Sequence, residues 1–394
     1  MTGPPIYLDA HATTPVDPRV LEAMLPLLRD QVGNASSVDH AAGRRTRDAV
    51  EQARRQVAAV LNASHKDVVF TSGATEANNL AIKGAAESLR ERGDHVVTVA
   101  TEHRAVLDTC RRLEALGLRV TVLPVRPDGL LDLAALEAAL EPATILVSVM
   151  AANNEIGVLQ PLAAIGALTR ARGILFHTDA AQAFGRIALD VQAMGIDLLS
   201  ISAHKIYGPQ GVGALYVRSR QPVVRIAPLF DGGGHERGLR PGTLNAPGIV
   251  ALGTAAEIAA SEMAADAARL GALRDRLLAG LRATIDGVHV NGSLEARLPH
   301  NLNVSIEGTD ETLASRLDGL AVSAGSACST GSIQASHVLR ALGVHAARAH
   351  GTLRFGLSRF TTEAEIDRAI DIVRDGVVRL RAERSRRASL STGS

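Results

Sequence analysis

The stretch Ser200-Ile201-Ser202-Ala203-His204-Lys205-Ile206-Tyr207-Gly208-Pro209 sets a single lysine among small, polar and turn-forming neighbours. Just upstream, Asp197-Leu198-Leu199-Ser200-Ile201-Ser202 reads as a short buried strand, while Gly208-Pro209-Gln210-Gly211 ends regular structure. Lys205 is therefore expected in a loop at the carboxyl end of a strand, the edge where open α/β sheets collect their ligands. Such a lysine standing alone is most often a solvated loop residue. The surrounding chain decides whether this one is.

Working outward, strand-like and helix-like patterns alternate. A helical periodicity covers residues 41–61, with Val50, Ala53, Val57 and Val60 on one face; strand 67–71, a helix opening near Ala74, strand 95–100 and helix 105–116 follow. Then come strand 119–125, helix 132–140, strand 144–150, helix 162–172 and strands 174–179, 197–202 and 213–217. Strands that mostly alternate with helices predict an α/β fold, with a mainly parallel central sheet and helices on both faces. From 249 to 285 an Ala- and Leu-rich stretch reads as helix, and beyond it short strands at 288–291, 301–306, 320–324 and 353–357 mix with three more helices. That change of pattern predicts a smaller α+β domain, whose last helix opens on the capping-box pattern Thr362-Glu363-Ala364-Glu365. The expected boundaries are a large domain over residues 14–258 and a small one made of 1–13 and 259–394.

Composition excludes several classes. At 394 residues the chain exceeds the roughly 250–300 at which a single core stops growing, which agrees with two domains. Hydrophobic residues make up 46%, charged residues 21%, and the net charge is +1, so nothing global points to a nucleic-acid partner. Aromatic residues are 2% with no Trp, which argues against stacking platforms for single strands. No basic segment followed by an apolar run opens the chain, and no stretch reads as approaching the ~18 apolar residues of a membrane span, so a soluble cytoplasmic protein is expected. Two cysteines, Cys110 and Cys328, are too few for a disulfide framework, and no metal-ligating set is read.

Four further segments carry chemistry. In Asp67-Val68-Val69-Phe70-Thr71-Ser72-Gly73-Ala74-Thr75-Glu76 a strand runs through a small-residue turn into a helix, so that Gly73, Ala74 and Thr75 could cradle a phosphate on backbone N–H groups and the helix dipole. In Ile174-Leu175-Phe176-His177-Thr178-Asp179 a carboxylate stands where an apolar strand gives out, and a buried charge there needs a partner. Thr101-Glu102-His103 follows another strand end and offers an imidazole for proton transfer. Ala324-Gly325-Ser326-Ala327-Cys328-Ser329-Thr330-Gly331-Ser332 holds one cysteine in a run of small residues, whereas Cys110 fits a helix and reads as packing. Each segment also has a plain structural reading as a turn, a cap or a core residue. Together, a lysine, a carboxylate and a phosphate cradle match the needs of pyridoxal phosphate, which takes a Schiff-base lysine and an acidic partner for its ring nitrogen.

With these residues quoted, the chain resembles the pyridoxal-phosphate-dependent cysteine desulfurases of the NifS/IscS type over nearly its full length. The resemblance runs through Ala12-Thr13-Thr14-Pro15, Thr71-Ser72-Gly73-Ala74-Thr75-Glu76, Thr101-Glu102-His103, Asn153-Asn154-Glu155-Ile156-Gly157 and Ser202-Ala203-His204-Lys205. It continues in Gly232-Gly233-Gly234-His235-Glu236, Arg240-Pro241-Gly242-Thr243, Gly325-Ser326-Ala327-Cys328 and Leu353-Arg354-Phe355. It implies the aminotransferase-like fold (fold type I), a homodimer, and release of sulfur from L-cysteine with L-alanine as the other product. By position, Lys205 is similar to the Schiff-base lysine, Asp179 to the pyridinium partner, and Asn154 and Gln182 to the groups on the ring's phenolate oxygen. Phosphate contacts are implied for Thr75, Ser202 and His204, and for Thr243 of the other subunit. His103 is similar to the residue stacked on the ring, Cys328 to the persulfide-forming nucleophile, and Arg354 with Asn34 to the anchor of the substrate carboxylate. Selenocysteine lyases and cofactor-binding scaffolds without catalysis are the alternatives on the same frame.

The chain also departs from its relatives. Ala10-His11 and Ala35 stand where relatives often carry other residues, and Ala151 precedes the Asn-Asn-Glu motif where some have His. Six arginines between Arg374 and Arg387 lead into a Ser-rich end, read as a solvated helix fraying into disorder or as a docking site for an acidic partner or a nucleic acid. Because the chain ends soon after its last helix, the sulfur acceptor is expected to differ from, or add to, the standard iron–sulfur scaffold protein.

Overall fold

The structure, a computed structural model, describes residues 4–324 and 336–391. In chain order the first half runs β1 (Ile6–Tyr7), α1 (Pro18–Arg29), α2 (Ala41–Val60), β2 (Val68–Thr71), α3 (Ala74–Ser88), β3 (His95–Val99), α4 (Arg104–Ala115), β4 (Arg119–Leu123), α5 (Leu133–Ala139), β5 (Thr144–Ser148) and α6 (Leu162–Ala171). The second half runs β6 (Leu175–Asp179), β7 (Leu198–Ser202), β8 (Gly213–Val217), α7 (Ala246–Thr284), β9 (Val288–Val290), β10 (Asn301–Ile306), β11 (Leu320–Ala321), β12 (Ser323–Ala324), α8 (His337–Ala341), α9 (Ala346–His350), β13 (Thr352–Gly356) and α10 (Glu363–Ser391).

A seven-stranded sheet in the order β2-β8-β7-β6-β5-β3-β4 forms the centre. Only β8 runs against its neighbours, so the carboxyl ends of the other six strands share one edge. Alternation along the strands sends Val69, Val96, Leu146, Leu198 and Leu215 to the face covered by α3 and α4. Their neighbours Phe70, Val97, Val147, Leu199 and Tyr216 point to the opposite face, covered by α2, α6 and the start of α7. The outer side of β2 is closed by a buried ion pair: Glu236 accepts the Phe70 N–H at 2.7 Å, and Arg54, paired with Glu236 at 2.7 Å, donates to the Val68 carbonyl at 2.9 Å. That arrangement satisfies backbone groups that an open sheet edge would leave exposed.

A second core gathers Leu8, the later part of α7, β10, β13 and α10 around an antiparallel sheet β12-β13-β10-β9. Here α10 opens on the expected capping box, with Thr362 and Glu365 exchanging backbone N–H bonds. Three features depart from the sequence reading. The N-terminal β1 and α1 were not foreseen; β1 pairs in parallel with β11, a distant segment, but the Asp17-Pro18 cap and first-turn signal of α1 was there to be read. The stretch 320–324 divides into β11 and β12, which join different sheets. Helix α7 contains a stretch long and apolar enough to cross a membrane by length and composition, where none was read; it packs on α1, α2 and α10 as an interior element. The basic end is also less open than expected, since α10 continues to Ser391, Arg381 donates to the carbonyls of Glu307 and Asp286, and Arg384 pairs with Asp310 at 2.9 Å.

The interior of the main sheet carries a titratable group. His177 on β6 is fully buried between the Ser148 and Ser200 hydroxyls, at 2.8 and 3.1 Å, and burial lowers its pKa to about 3. Between that value and the ordinary one of 6.5 the unfolded chain holds a proton that the folded protein refuses, so stability falls as pH drops through this window. His177→Asn should flatten the decline in denaturation midpoint between pH 6.5 and pH 4. An equally steep decline in the variant would rule the group out.

Candidate active site

A cavity of about 490 Å³ opens at the common edge of the parallel strands, lined by residues from the ends of β2, β5, β6 and β7. Its first wall is the junction of β2 and α3. Gly73 adopts φ 150° and ψ −179°, a conformation essentially reserved for glycine, and provides no side-chain cap for α3. The Ser72 N–H is taken by Glu76 at 2.8 Å, and Glu76 is held by Arg240 at 2.9 Å. Gly213 at the start of β8 packs so closely that a Cβ there would lie 2.7 Å from the Gly73 Cα. The result is a helix N-terminus with Gly73, Ala74 and Thr75 on the cavity, a site suited to an anion. Ser202 and His204 line the same cavity; His204 contacts the Thr13 hydroxyl at 3.1 Å, and burial, then Lys205, lowers its pKa to about 4, so it is a neutral donor or acceptor at pH 7.

The base is Asp179, 5% exposed at the end of β6. Its oxygens accept from Asn78 Nδ2 at 2.7 Å and the Ala181 N–H at 2.9 Å, both neutral donors. Asn78 was missed by the sequence reading, although an asparagine on the buried face of an Ala-rich helix is a legible signal. Behind it, Glu102 is fully buried; burial and then the neighbouring Asp179 push its carboxyl well above the usual range. One Glu102 oxygen accepts the Met150 N–H, which braces the chain leaving β5.

Lys205 Nζ donates to the carbonyls of His11 and Ala12, at 2.5 and 2.7 Å. His11 thereby enters the cavity wall, and Gln182 binds it twice, through Nδ1 at 2.9 Å and through its carbonyl at 3.0 Å. His103 is the N-cap of α4: its Nδ1 accepts the Ala105 N–H at 3.1 Å, which leaves Nε2 as the nitrogen that carries the proton of the neutral ring. On the far side Arg354 of β13 is 3% exposed, paired with Asp9 at 2.8 Å and donating to the Asn154 carbonyl at 3.2 Å. Its Nε is buried and has no partner among the described residues.

The cavity thus brings together Lys205, Asp179, His103, Asn154, Gln182, Ser202, His204, Arg354 and the Gly73–Thr75 turn. It does not bring in Asn34, which is exposed and uses its side chain to accept the Ser36 N–H at 2.9 Å, nor Thr243, which is also exposed. Cys328 and the residues around it lie outside the described residues. Cys110 is buried in α4, and burial pushes its thiol up to about 12, in keeping with a packing role.

Against known proteins, the sequence pattern described as aminotransferase class-V matches residues 6–369. A cysteine desulfurase IscS of Anaeromyxobacter dehalogenans is 56% identical over 380 residues, covering 96% of this chain and 93% of that protein. Among solved structures, a NifS-like protein superposes with a TM-score of 0.87 at 38% identity, covering 94% of this chain and 98% of that one. A structure titled SspA in complex with cysteine superposes at 0.81 with 39% identity, covering 90% and 99%.

The strained turn gives a direct test of the cradle. Gly73→Ala should destabilise the protein by roughly 1–3 kcal/mol, because alanine is forced into glycine's region of backbone space. Chemical denaturation measures this, and a variant as stable as the parent would mean that the turn relaxes at no penalty.

Proposed function

This chain belongs to the aminotransferase class-V family, and from that premise we propose that it is a cysteine desulfurase, taking sulfur from L-cysteine, releasing L-alanine and carrying the sulfur as a persulfide on Cys328. The observation that carries the reading is the meeting, in one cavity, of an amine, a buried carboxylate held by the Asn78 amide and the Ala181 N–H, an uncapped helix start and a buried guanidinium.

These residues fit pyridoxal phosphate. Asp179 would hold the ring nitrogen, the Gly73–Thr75 turn with Ser202 and His204 the phosphate, Asn154 and Gln182 the phenolate oxygen, and Lys205 the aldehyde carbon. Thr243 would reach the phosphate from the second protomer of a homodimer. When bound, the cofactor supplies an electron sink next to the substrate's α-carbon.

The chain's own groups do the rest. Arg354, its fork oriented by Asp9 and Ser323, binds the substrate carboxylate; Asn34 lies outside the cavity in this chain. Lys205 takes the α-proton, and Lys205 or the Nε2 side of His103 returns a proton to the carbon framework. The Cys328 thiolate attacks the substrate sulfur, forming an S–S bond as the carbon–sulfur bond breaks. L-cysteine and the Cys328 thiol give L-alanine and a Cys328 persulfide, with no outside oxidant or reductant. The persulfide then passes to a sulfur acceptor. The enzyme is soluble and cytoplasmic, with residues 14–258 forming the cofactor-binding body and 1–13 with 259–394 the smaller one.

Lys205→Ala should lose the covalent link to the cofactor and slow sulfur release by roughly 10²–10⁴-fold or more. Borohydride reduction followed by peptide mass spectrometry reads the link, and cofactor found on another lysine would reject the assignment. Cys328→Ser should still bind cysteine but form no persulfide. After cysteine treatment of the parent, added sulfur on the Cys110 peptide alone would overturn the choice of nucleophile.

A further inference from the structure

We propose that Arg297 is a positioning residue for the cavity: through Asn301 it sets the ring tautomer of His11, and through His11 the amide orientation of Gln182, so that Gln182 presents an N–H to an oxygen bound beside it.

Arg297 is 4% exposed and has no ion pair with a carboxylate among the described residues. It donates to the carbonyls of Asn291, Gly292 and Ser293, and through Nη1 to Asn301 Oδ1 at 2.7 Å. A guanidinium only donates, so Asn301 must turn its oxygen to Arg297. The other end agrees: Asn301 Nδ2 donates to the Glu155 carbonyl at 3.2 Å, an atom that only accepts, and the same nitrogen lies 3.0 Å from His11 Nε2. His11 Nε2 therefore accepts, and the ring proton sits on Nδ1.

Nδ1 then donates to Gln182 Oε1 at 2.9 Å, while Gln182 Nε2 donates to the His11 carbonyl at 3.0 Å. The Nδ1–H and the carbonyl of His11 together hold the Gln182 amide in one orientation, and the two ends of the chain of bonds require the same tautomer. One hydrogen of Nε2 remains for the cavity, which both residues line. An imidazolium would set an N–H against the Asn301 amide, so the arrangement holds only for the neutral ring. The surroundings act the same way: His11 is stacked on His300 at 4.5 Å, and burial, with Arg354, Lys205 and Arg186 nearby, keeps its pKa well below 6.5. Because the His11 carbonyl also accepts from Lys205 Nζ, one residue controls two groups of the cavity wall.

The tautomer stands on geometry alone; its effect on bound cofactor rests on the function proposed above. The first measurement is a two-bond ¹⁵N–¹H correlation spectrum of the histidine-labelled holoenzyme, with the His11 signal identified by its loss in His11→Asn. A neutral Nδ1–H form from pH 8 to about 6 is expected, and an Nε2–H or doubly protonated ring overturns the proposal. Asn301→Asp gives Arg297 a carboxylate but no N–H for His11, so Nε2 should gain a proton, as the Nε2–H tautomer or as an imidazolium paired with the new carboxylate; a ring that keeps its proton on Nδ1 alone rejects the relay. Arg297→Lys, which can only donate, should keep both the tautomer and the pH midpoint of the cofactor's visible absorbance. Arg297→Gln, which can do either, should mix the tautomers and raise that midpoint by about one unit, as the Gln182 bond to the phenolate oxygen weakens. An unchanged tautomer and midpoint in Arg297→Gln would reject the proposal. A parent protein that takes up no cofactor at all would instead reject the functional reading and leave the tautomer result intact.

Discussion

A buried carboxylate held by an amide and a backbone N–H is the constraint on which the cavity depends. Asp179 sits at the end of an apolar strand with an amide side chain and a backbone N–H as partners, and a charge so placed calls for a cation that can be bound and released. The architecture around it serves that need. Parallel strands end at one edge and deliver Asp179, Ser202 and the Met150–Asn154 segment side by side. Helix α3 contributes both the anion-binding turn and, one turn further on, Asn78. Beneath them, burial and then Asp179 push the Glu102 carboxyl well above its usual range, which works against a second anion under the cavity.

Much of this was legible in the sequence because it is local. The strands that carry site residues are short buried runs that end on a polar residue, and in β6 and β7 that residue is Asp179 or Ser202 itself. Gly73 could be read because a turn of small residues before a helix has few other uses. What escaped depends on distant pairs. β1 exists only because β11 offers it an edge. His11 stood out in the sequence as a departure from related chains, yet its partners Gln182, Asn301 and His300 lie far along the chain, and no periodicity announces them. Arg297 gave no signal at all, since a lone arginine in a turn is normally solvated.

The exposed assignments, Asn34 and Thr243, follow a different logic. They rest on likeness to relatives, and a single chain leaves both on its surface. Val32, Val38, Val223 and Phe230 are also exposed on these two segments, Val32 at 82%.

Helix α7 has a consequence for how the molecule comes apart. Its 39 residues, about 58 Å end to end, contribute Ala246 to Ala256 to one core and Leu270 to Leu281 to the other. Melting either core frays a helix that the other core also packs against, so a weakness in one is felt by both. Heat or denaturant should therefore meet one cooperative unit where the two cores would suggest two. A ligand gripped only by the main sheet's edge would then also protect the antiparallel sheet from unfolding, although it never touches that sheet's core.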